Sequence, residues 1–228
     1  RRRHLRRVVE AILPPTYVRY RETFEEVRQD LAAHALPGVR VEHLSWPHKA
    51  AAARLGLVRY GRNNLASAGA LGSWVQLCAY VTDADLGAAG AAAIGEPRLL
   101  DECAACSACT EACPTGAIGW DRVLLRAERC LTRVNEDPGA WPEWVPERAH
   151  HCLVGCLACQ RACPANPTLP VVDSGVVFSE EETDALLAEG PPGGSAGAGI
   201  RVKLAFLGLT SYEPAVLGRN LRALLATD

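Results

Sequence analysis

The sequence predicts an α+β protein in three parts: a small α/β N-terminal part over residues 1–95, a cysteine-rich module over 96–170, and a helical C-terminal extension over 171–228. Three observations support that division. Helix-period and strand-type segments alternate through the first part, as in small mixed folds. Eight of the ten cysteines fall in two runs, Cys103-x₂-Cys106-x₂-Cys109-x₃-Cys113-Pro114 and Cys152-x₃-Cys156-x₂-Cys159-x₃-Cys163-Pro164. Beyond Pro170, a capping box at Ser179–Glu182 and two amphipathic stretches mark helices.

Leu5, Val8, Val9 and Ile12 recur at helical spacing, which predicts a helix over 1–13 ended by Pro14-Pro15. Tyr17, Tyr20, Phe24, Val27 and Leu31 share one face of a helix from Thr16 to Ala35. Pro37-Gly38 turns the chain, and Val39–Leu44 alternates as a short strand. Pro47 opens an Ala-rich helix to Leu55, which Gly56 closes. Residues 57–72, rich in Gly and Asn, read as an ordered loop, Ser73–Val81 as the strongest strand, and 87–95 as a connector. Pro138-Gly139, Pro142 and Pro146 make 134–150 an irregular insertion. Val171-Val172 is strand-like, and 180–189 is a helix. The Pro/Gly/Ser-rich stretch 191–199 reads as a flexible linker, with closing helices over 200–208 and 213–226.

Composition narrows the function. A chain of 228 residues can bury a core without disulfides. Net charge is −2, which makes no electrostatic case for nucleic acid, so none is expected as a partner. No apolar run reaches the ~18 residues of a membrane span, and the basic start Arg1–Arg7 lacks the apolar stretch of a signal peptide. Thiolates destined for metal need a reducing compartment, so a cytoplasmic location is expected. The sequence has no methionine, and the chain is expected to be a processed or truncated product whose native start lies upstream.

The cysteine spacing is that of bacterial ferredoxin-like [4Fe–4S] modules. One C-x₂-C-x₂-C turn supplies three thiolates to a cube. The last cysteine of the run, ahead of Pro, leaves on a helical turn for the other cube. Cluster one is then Cys103, Cys106, Cys109 and Cys163. Cluster two takes Cys113, Cys156, Cys159 and a fourth thiolate that spacing leaves open between Cys152, whose gap to Cys156 is x₃, and Cys130. Zinc competes for C-x₂-C pairs, but two C-x₂-C-x₃-C-P endings fit cubes better. Cys78, in an apolar segment, reads as a buried small hydrophobe. Trp120, Trp141 and Trp144 read as shielding or packing groups, and His150-His151 as a surface pair.

The first run with Thr115-Gly-Ala-Ile118, then Ala127-Glu-Arg-Cys130 and Gly155–Pro164, resembles the epoxyqueuosine reductase family. Those are cobalamin-dependent, two-[4Fe–4S] enzymes related to reductive dehalogenases. Ala53–Leu57 and Tyr60-Gly61-Arg62-Asn63-Asn64 extend the resemblance over residues 39 to 168, and the latter form marks a short subgroup. The resemblance implies Cys130 as the last ligand of cluster two, with Cys152 a spare thiol. It implies that residues 1–95 are half of a cobalamin-binding domain, with Lys49, Tyr60, Gly61, Arg62, Asn63 and Asn64 at the cofactor. The family's proton-donating Asp falls on Glu42, which becomes the candidate catalytic residue.

The function so implied is an iron–sulfur oxidoreductase. Single electrons from ferredoxin or flavodoxin would pass through two clusters to a bound corrinoid acting on a small molecule or modified nucleoside. The family's tRNA-binding HEAT-like array has no counterpart after residue 168. The alternative is a ferredoxin-like electron carrier or subunit with no substrate of its own.

Overall fold

The computed structural model describes residues 10–35, 38–87, 94–121, 124–188 and 194–227. Most of the expected 1–13 helix lies outside these, and residues 10–13 are extended. Leu13 precedes a proline, which disfavours helical backbone there. Ile12 instead bridges Cys152, and its carbonyl accepts the Leu153 N–H at 3.2 Å. Pro15–Tyr17 makes one 3₁₀ turn, and Arg19 takes a left-handed φ of 55°. The next helix, α1, therefore starts at Tyr20 rather than Thr16 and runs to Asp30, with a wider π-type turn over Leu31–Ala35.

The first part continues as β1 (Val41–His43), α2 (His48–Arg54), β2 (Arg59–Tyr60), β3 (Ala66–Ser67) and β4 (Tyr80–Thr82). β1 pairs antiparallel with β4, Glu42 opposite Val81. Only the end of the expected 73–81 strand joins this ladder, because its partner is three residues long. α1 braces the ladder: Arg28 Nη1 donates to the Val41 carbonyl at 3.0 Å, and the Tyr80 hydroxyl to the Phe24 carbonyl at 2.7 Å. Gly56, at φ 71°, ends α2 as expected. The stretch read as a loop holds the β2–β3 hairpin, with Asn64 in its turn at φ 60°. Tyr60 also donates to the Arg98 carbonyl and accepts from Leu100 N–H, both at 2.9 Å, and so stitches the first part to the cysteine module.

Three short helices serve the cysteines: α3 (Ala108–Ala112), α4 (Leu131–Glu136) and α5 (Ala158–Arg161). α4 occupies the start of the segment expected to be irregular, while 137–146 has neither helix nor strand. Val171 and Val172 are 81 % and 80 % exposed and pair with nothing in a ladder, so the strand expectation there fails.

The chain closes with α6 (Glu180–Leu187), α7 (Gly194–Phe206) and α8 (Pro214–Thr227). The capping box forms in full: the Ser179 hydroxyl accepts the Glu182 N–H at 3.2 Å, and the Glu182 carboxylate accepts the Ser179 N–H at 2.7 Å. Residues 194–199, expected to be a flexible linker, are the first turns of α7. Small residues are what seat α7 there. A Cβ on Gly199 would lie 2.5 Å from Glu182 Oε1; in the same way, one on Gly218 of α8 would strike the Leu186 carbonyl of α6. Tertiary packing thus overrides the low helix propensity of glycine.

The main core joins these helices to the second cysteine run: Leu153 and Val154 pack with Leu186, Ile200, Leu209 and Leu217. Each fully buried aliphatic side chain there is worth ~1.5–3 kcal/mol. Residues 171–228 are therefore the support of the cysteine loops rather than an appendage. A smaller core gathers Ala52, Ala53, Val58 and Ala66 under the hairpin. Among the described residues no helix is long and apolar enough to cross a membrane.

Candidate metal centre

The two cysteine runs come together crosswise. Cys103, at the 3₁₀ turn Asp101–Ala104, Cys106 in the following loop, Cys109 in α3 and Cys163 after α5 line one small cavity with Gly61, Arg62, Asn63 and Pro164. These are the four residues that spacing assigned to cluster one. Burial pushes the Cys109 thiol up, and the neighbouring Cys103, Cys163 and Cys106 add to it. Four thiols around a cavity are the donor set that a [4Fe–4S] cube takes. Among the described residues, no three His, Cys, Asp or Glu side chains close on one point as a single ion requires.

The second set is legible from electrostatics. Burial pushes Cys159 up to about 12, with Cys156, Cys130, Cys109 and Cys113 as its charged neighbours. Burial pushes Cys156 to about 11, with Cys130 and Cys113 beside it. Cys152 is also raised to about 12 by burial, but Cys156 is the one thiol that raises it further. Cys130, not Cys152, thus shares a neighbourhood with Cys113, Cys156 and Cys159. Cys152 is 3 % exposed in the strand-like contact with Ile12, where it packs as a core residue. Cys109 within range of Cys159 brings the two sets next to each other, through the packing of α3 on α5.

Hydrogen bonds prepare the sulfurs. Burial would raise the Cys113 thiol, but N–H groups of Thr115, Ile118 and Ala117 and the Thr115 hydroxyl converge on it and hold it below its ordinary value. The Ala117 N–H reaches Cys113 Sγ at 3.2 Å. At the first set, Arg62 N–H donates to Cys103 Sγ at 3.4 Å, and Arg62 Nη2 donates to the Cys103 carbonyl at 2.7 Å. The backbone after Cys163 is pinned from across the fold. Asn166 Oδ1 accepts the Ser73 N–H at 2.7 Å, and its Nδ2 donates to the Gln160 carbonyl at 2.8 Å.

The residues nominated for a corrinoid do not form a separate cradle. Gly61, Arg62 and Asn63 line the first thiol cavity. Lys49 Nζ donates to the Asn64 carbonyl at 2.7 Å and lies over the Tyr60 ring at 5.5 Å, while Asn63 Oδ1 accepts the Leu65 N–H at 3.2 Å. These contacts build the hairpin turn. Glu42 is exposed on β1 and lines neither this cavity nor the larger one bounded by Leu57, Arg59, Asp101 and Glu102. The structure therefore does not bring Glu42 to the cysteines.

The aromatic residues take structural partners. Trp120 lies under the Arg62 guanidinium at 4.0 Å, Trp144 under Arg129 at 4.8 Å, and Trp141 under Arg219 at 4.3 Å. His151 spans Ala149 O at 2.8 Å and the Leu157 N–H at 3.2 Å, which occupies both ring nitrogens. Sequence reasoning missed Asn135, Asn166 and Asn220. A buried asparagine inside an otherwise apolar helical stripe, such as Asn220 beside Leu217, Leu221 and Leu224, was the available signal.

Residues 102–166 match the 4Fe-4S double cluster binding domain family. The epoxyqueuosine reductase of Lactococcus garvieae is 36 % identical over 118 residues, 51 % of this chain and 31 % of that protein. That of Bacillus subtilis is 30 % identical over 120 residues, 52 % of this chain and 28 % of the other. The chain spans about a third of the curated relatives it matches. The structure of epoxyqueuosine reductase from Streptococcus thermophilus superposes with a TM-score of 0.66 at 20 % identity, over 92 % of this chain and 55 % of that one. An epoxyqueuosine reductase solved with an epoxyqueuosine-modified tRNA-Tyr stem loop superposes with a TM-score of 0.66 at 21 % identity, over 91 % and 54 % of the two chains. The resemblance read from the motifs is thus the one that comparison finds, and the fold is shared over most of the chain. The expectation against nucleic acid rested on net charge alone. Net charge averages over the whole surface, and a fold-mate takes a tRNA stem loop.

Proposed function

We propose that this chain is an iron–sulfur reductase of the epoxyqueuosine reductase type, relaying single electrons through two adjacent [4Fe–4S] clusters toward a modified nucleoside in a tRNA stem loop. The observation that carries the reading is the crosswise gathering of thiols: Cys163 of the second run joins three of the first, and Cys113 of the first lies by Cys156 and Cys159 of the second, with Cys130. Cys103, Cys106, Cys109 and Cys163 would hold one cube, and Cys113, Cys130, Cys156 and Cys159 the other. When bound, such cubes supply reversible one-electron transfer. The chain's own groups fix the thiols in place: α3 and α5 set their spacing, Tyr60 ties the hairpin to residues 98–100, and Asn166 pins the segment after Cys163. Backbone N–H groups at Cys113 and Cys103 favour electron-rich sulfur, and the main core excludes water behind the second run.

A ferredoxin or flavodoxin fits as donor, because a low-potential relay needs a low-potential source. A corrinoid acceptor rests on the resemblance alone. Glu42 is given no catalytic part.

Anaerobic reconstitution of the full chain with iron, sulfide and cobalamin, followed by gel filtration, tests the reading. About eight irons per chain are expected from two cubes. About four, or none, overturns the two-cluster relay. Corrinoid retained through the column would restore the cofactor role expected of residues 1–95. Full iron without reduction of an epoxyqueuosine-containing stem loop would leave an electron carrier.

A further inference from the structure

We infer that Arg62 is a fixed positive charge that raises the reduction potential of the cluster held by Cys103, Cys106, Cys109 and Cys163; this deepens the two-cluster reading above and rests on it. Arg62 touches that site in three ways. Its backbone N–H donates to Cys103 Sγ at 3.4 Å. Its Nη2 donates to the Cys103 carbonyl at 2.7 Å, which holds the guanidinium beside the ligand. The residue lines the thiol cavity with all four cysteines.

Two further facts separate a tuning charge from a mere strut. Among the described residues no carboxylate pairs with Arg62, whereas nearby Arg59 is neutralised by Asp101 at 2.6 Å. Arg62 Nε is buried without a hydrogen-bond partner, so its positive charge is neither paired nor fully hydrated. Trp120 covers one face of the guanidinium at 4.0 Å. Four thiolates and a cubane core carry net negative charge that grows by one when an electron enters. A neighbouring cation therefore stabilises the reduced state more than the oxidised one, and net charge is a known lever on cluster potential.

The contacts of Arg62 fall on the first thiol set, and the second has a different arginine near it. Arg129 stacks on Trp144 and donates through Nε to the Thr115 carbonyl at 3.0 Å. The N–H found on Cys113 Sγ is that of Ala117. Removing the Arg62 charge should accordingly move one cluster and leave the other.

The test is an EPR-monitored redox titration, with dithionite as reductant, of the full chain reconstituted anaerobically with iron and sulfide. In Arg62→Gln, iron content should match wild type. One midpoint should fall by about tenfold in the reduced-to-oxidised ratio at fixed potential, ~59 mV for a one-electron couple. The other midpoint should stay. Arg62→Lys, which keeps the charge, should remain near wild type. Trp120→Glu, at an exposed position, puts a carboxylate against the guanidinium and should lower the same midpoint without touching Arg62.

Unmoved midpoints in Arg62→Gln and Trp120→Glu at full iron overturn the proposal and leave the two-cluster reading intact. So does an Arg62→Lys shift as large as that of Arg62→Gln, because shape rather than charge would then matter. If Arg62→Gln sheds iron, Trp120→Glu decides. A wild-type chain that assembles no cubane cluster overturns the two-cluster reading and this inference together.

Discussion

Asn220 on α8 donates through Nδ2 to the backbone carbonyl of Asn135 on α4 at 2.6 Å, and both side chains are almost wholly buried. The same amide reaches the Leu153 carbonyl at 2.8 Å. Asn135 in turn exchanges two hydrogen bonds with Gly155, at 2.6 and 3.0 Å, next to Cys156. The C-terminal helix thus holds the second cysteine loop through polar contacts inside an apolar core. Asn220→Leu strands two buried carbonyls and should cost about 2 kcal/mol or more. Denaturant unfolding measures that loss, and iron content should fall at the second cluster before the first. Wild-type stability in Asn220→Leu would show that water takes over both carbonyls.

The contested thiol has a direct test. Cys130→Ala should reduce iron from about eight to about four per chain, and Cys152→Ala should leave about eight. The opposite pattern would reassign the ligand. Cys152→Ala should still cost ~1 kcal/mol of stability, since it empties buried volume beside Ile12.

Gly155 combines a φ of 71° with a close approach to Pro14, whose Cγ would lie 2.7 Å from an added Cβ. Gly155→Ala should therefore destabilise by more than about 1 kcal/mol, from backbone strain and displacement of the N-terminal segment together. A shift in unfolding midpoint smaller than that of an exposed Gly139→Ala control, also at positive φ, would contradict the close packing.

Glu182 links α6 to α7. Lys203 Nζ lies 2.5 Å from its carboxylate, and this contact, with the Ser179 N–H, holds the carboxyl below its ordinary range. A carboxyl lowered in the folded state contributes stability above its unfolded pKa of about 4.3. That contribution is lost as pH falls through the folded value. Glu182→Gln should cost about 1 kcal/mol at neutral pH, mostly from the lost charge against Lys203, since Gln still completes the capping box, and the gap from wild type should close in the acid range. A gap that stays constant from pH 7 to about 3 would remove the carboxylate's charge from the account.

Much of the chain could be read in advance where the signal is local. The Ser179 capping box, the Gly56 helix end and the α8 stripe all appear where their residues put them, because each is a contact within one or two turns. The failures share a cause. The stretch 194–199 looks like a linker by composition, and its Gly199 lets α7 lie against Glu182. Lys49, Tyr60 and Asn64, read only as cofactor groups, also brace the hairpin turn that lies at the first cysteine run. Neither purpose is visible without the partner segment.

Cysteine spacing alone assigned seven of the eight thiols to two crossed sets, because a cube's size and the reach of one short turn leave few other arrangements. It could not choose between Cys130 and Cys152, since both lie within reach along the chain. The three-dimensional packing separates their surroundings. Cys152 is drawn into the core against Ile12, and Cys130, at the start of α4, is left facing Cys156 and Cys159. Nor could spacing place Arg62, far upstream of Cys103, against that ligand's sulfur and carbonyl. A ligand loop's electrostatic surroundings come from segments distant in sequence, and only folding brings them together.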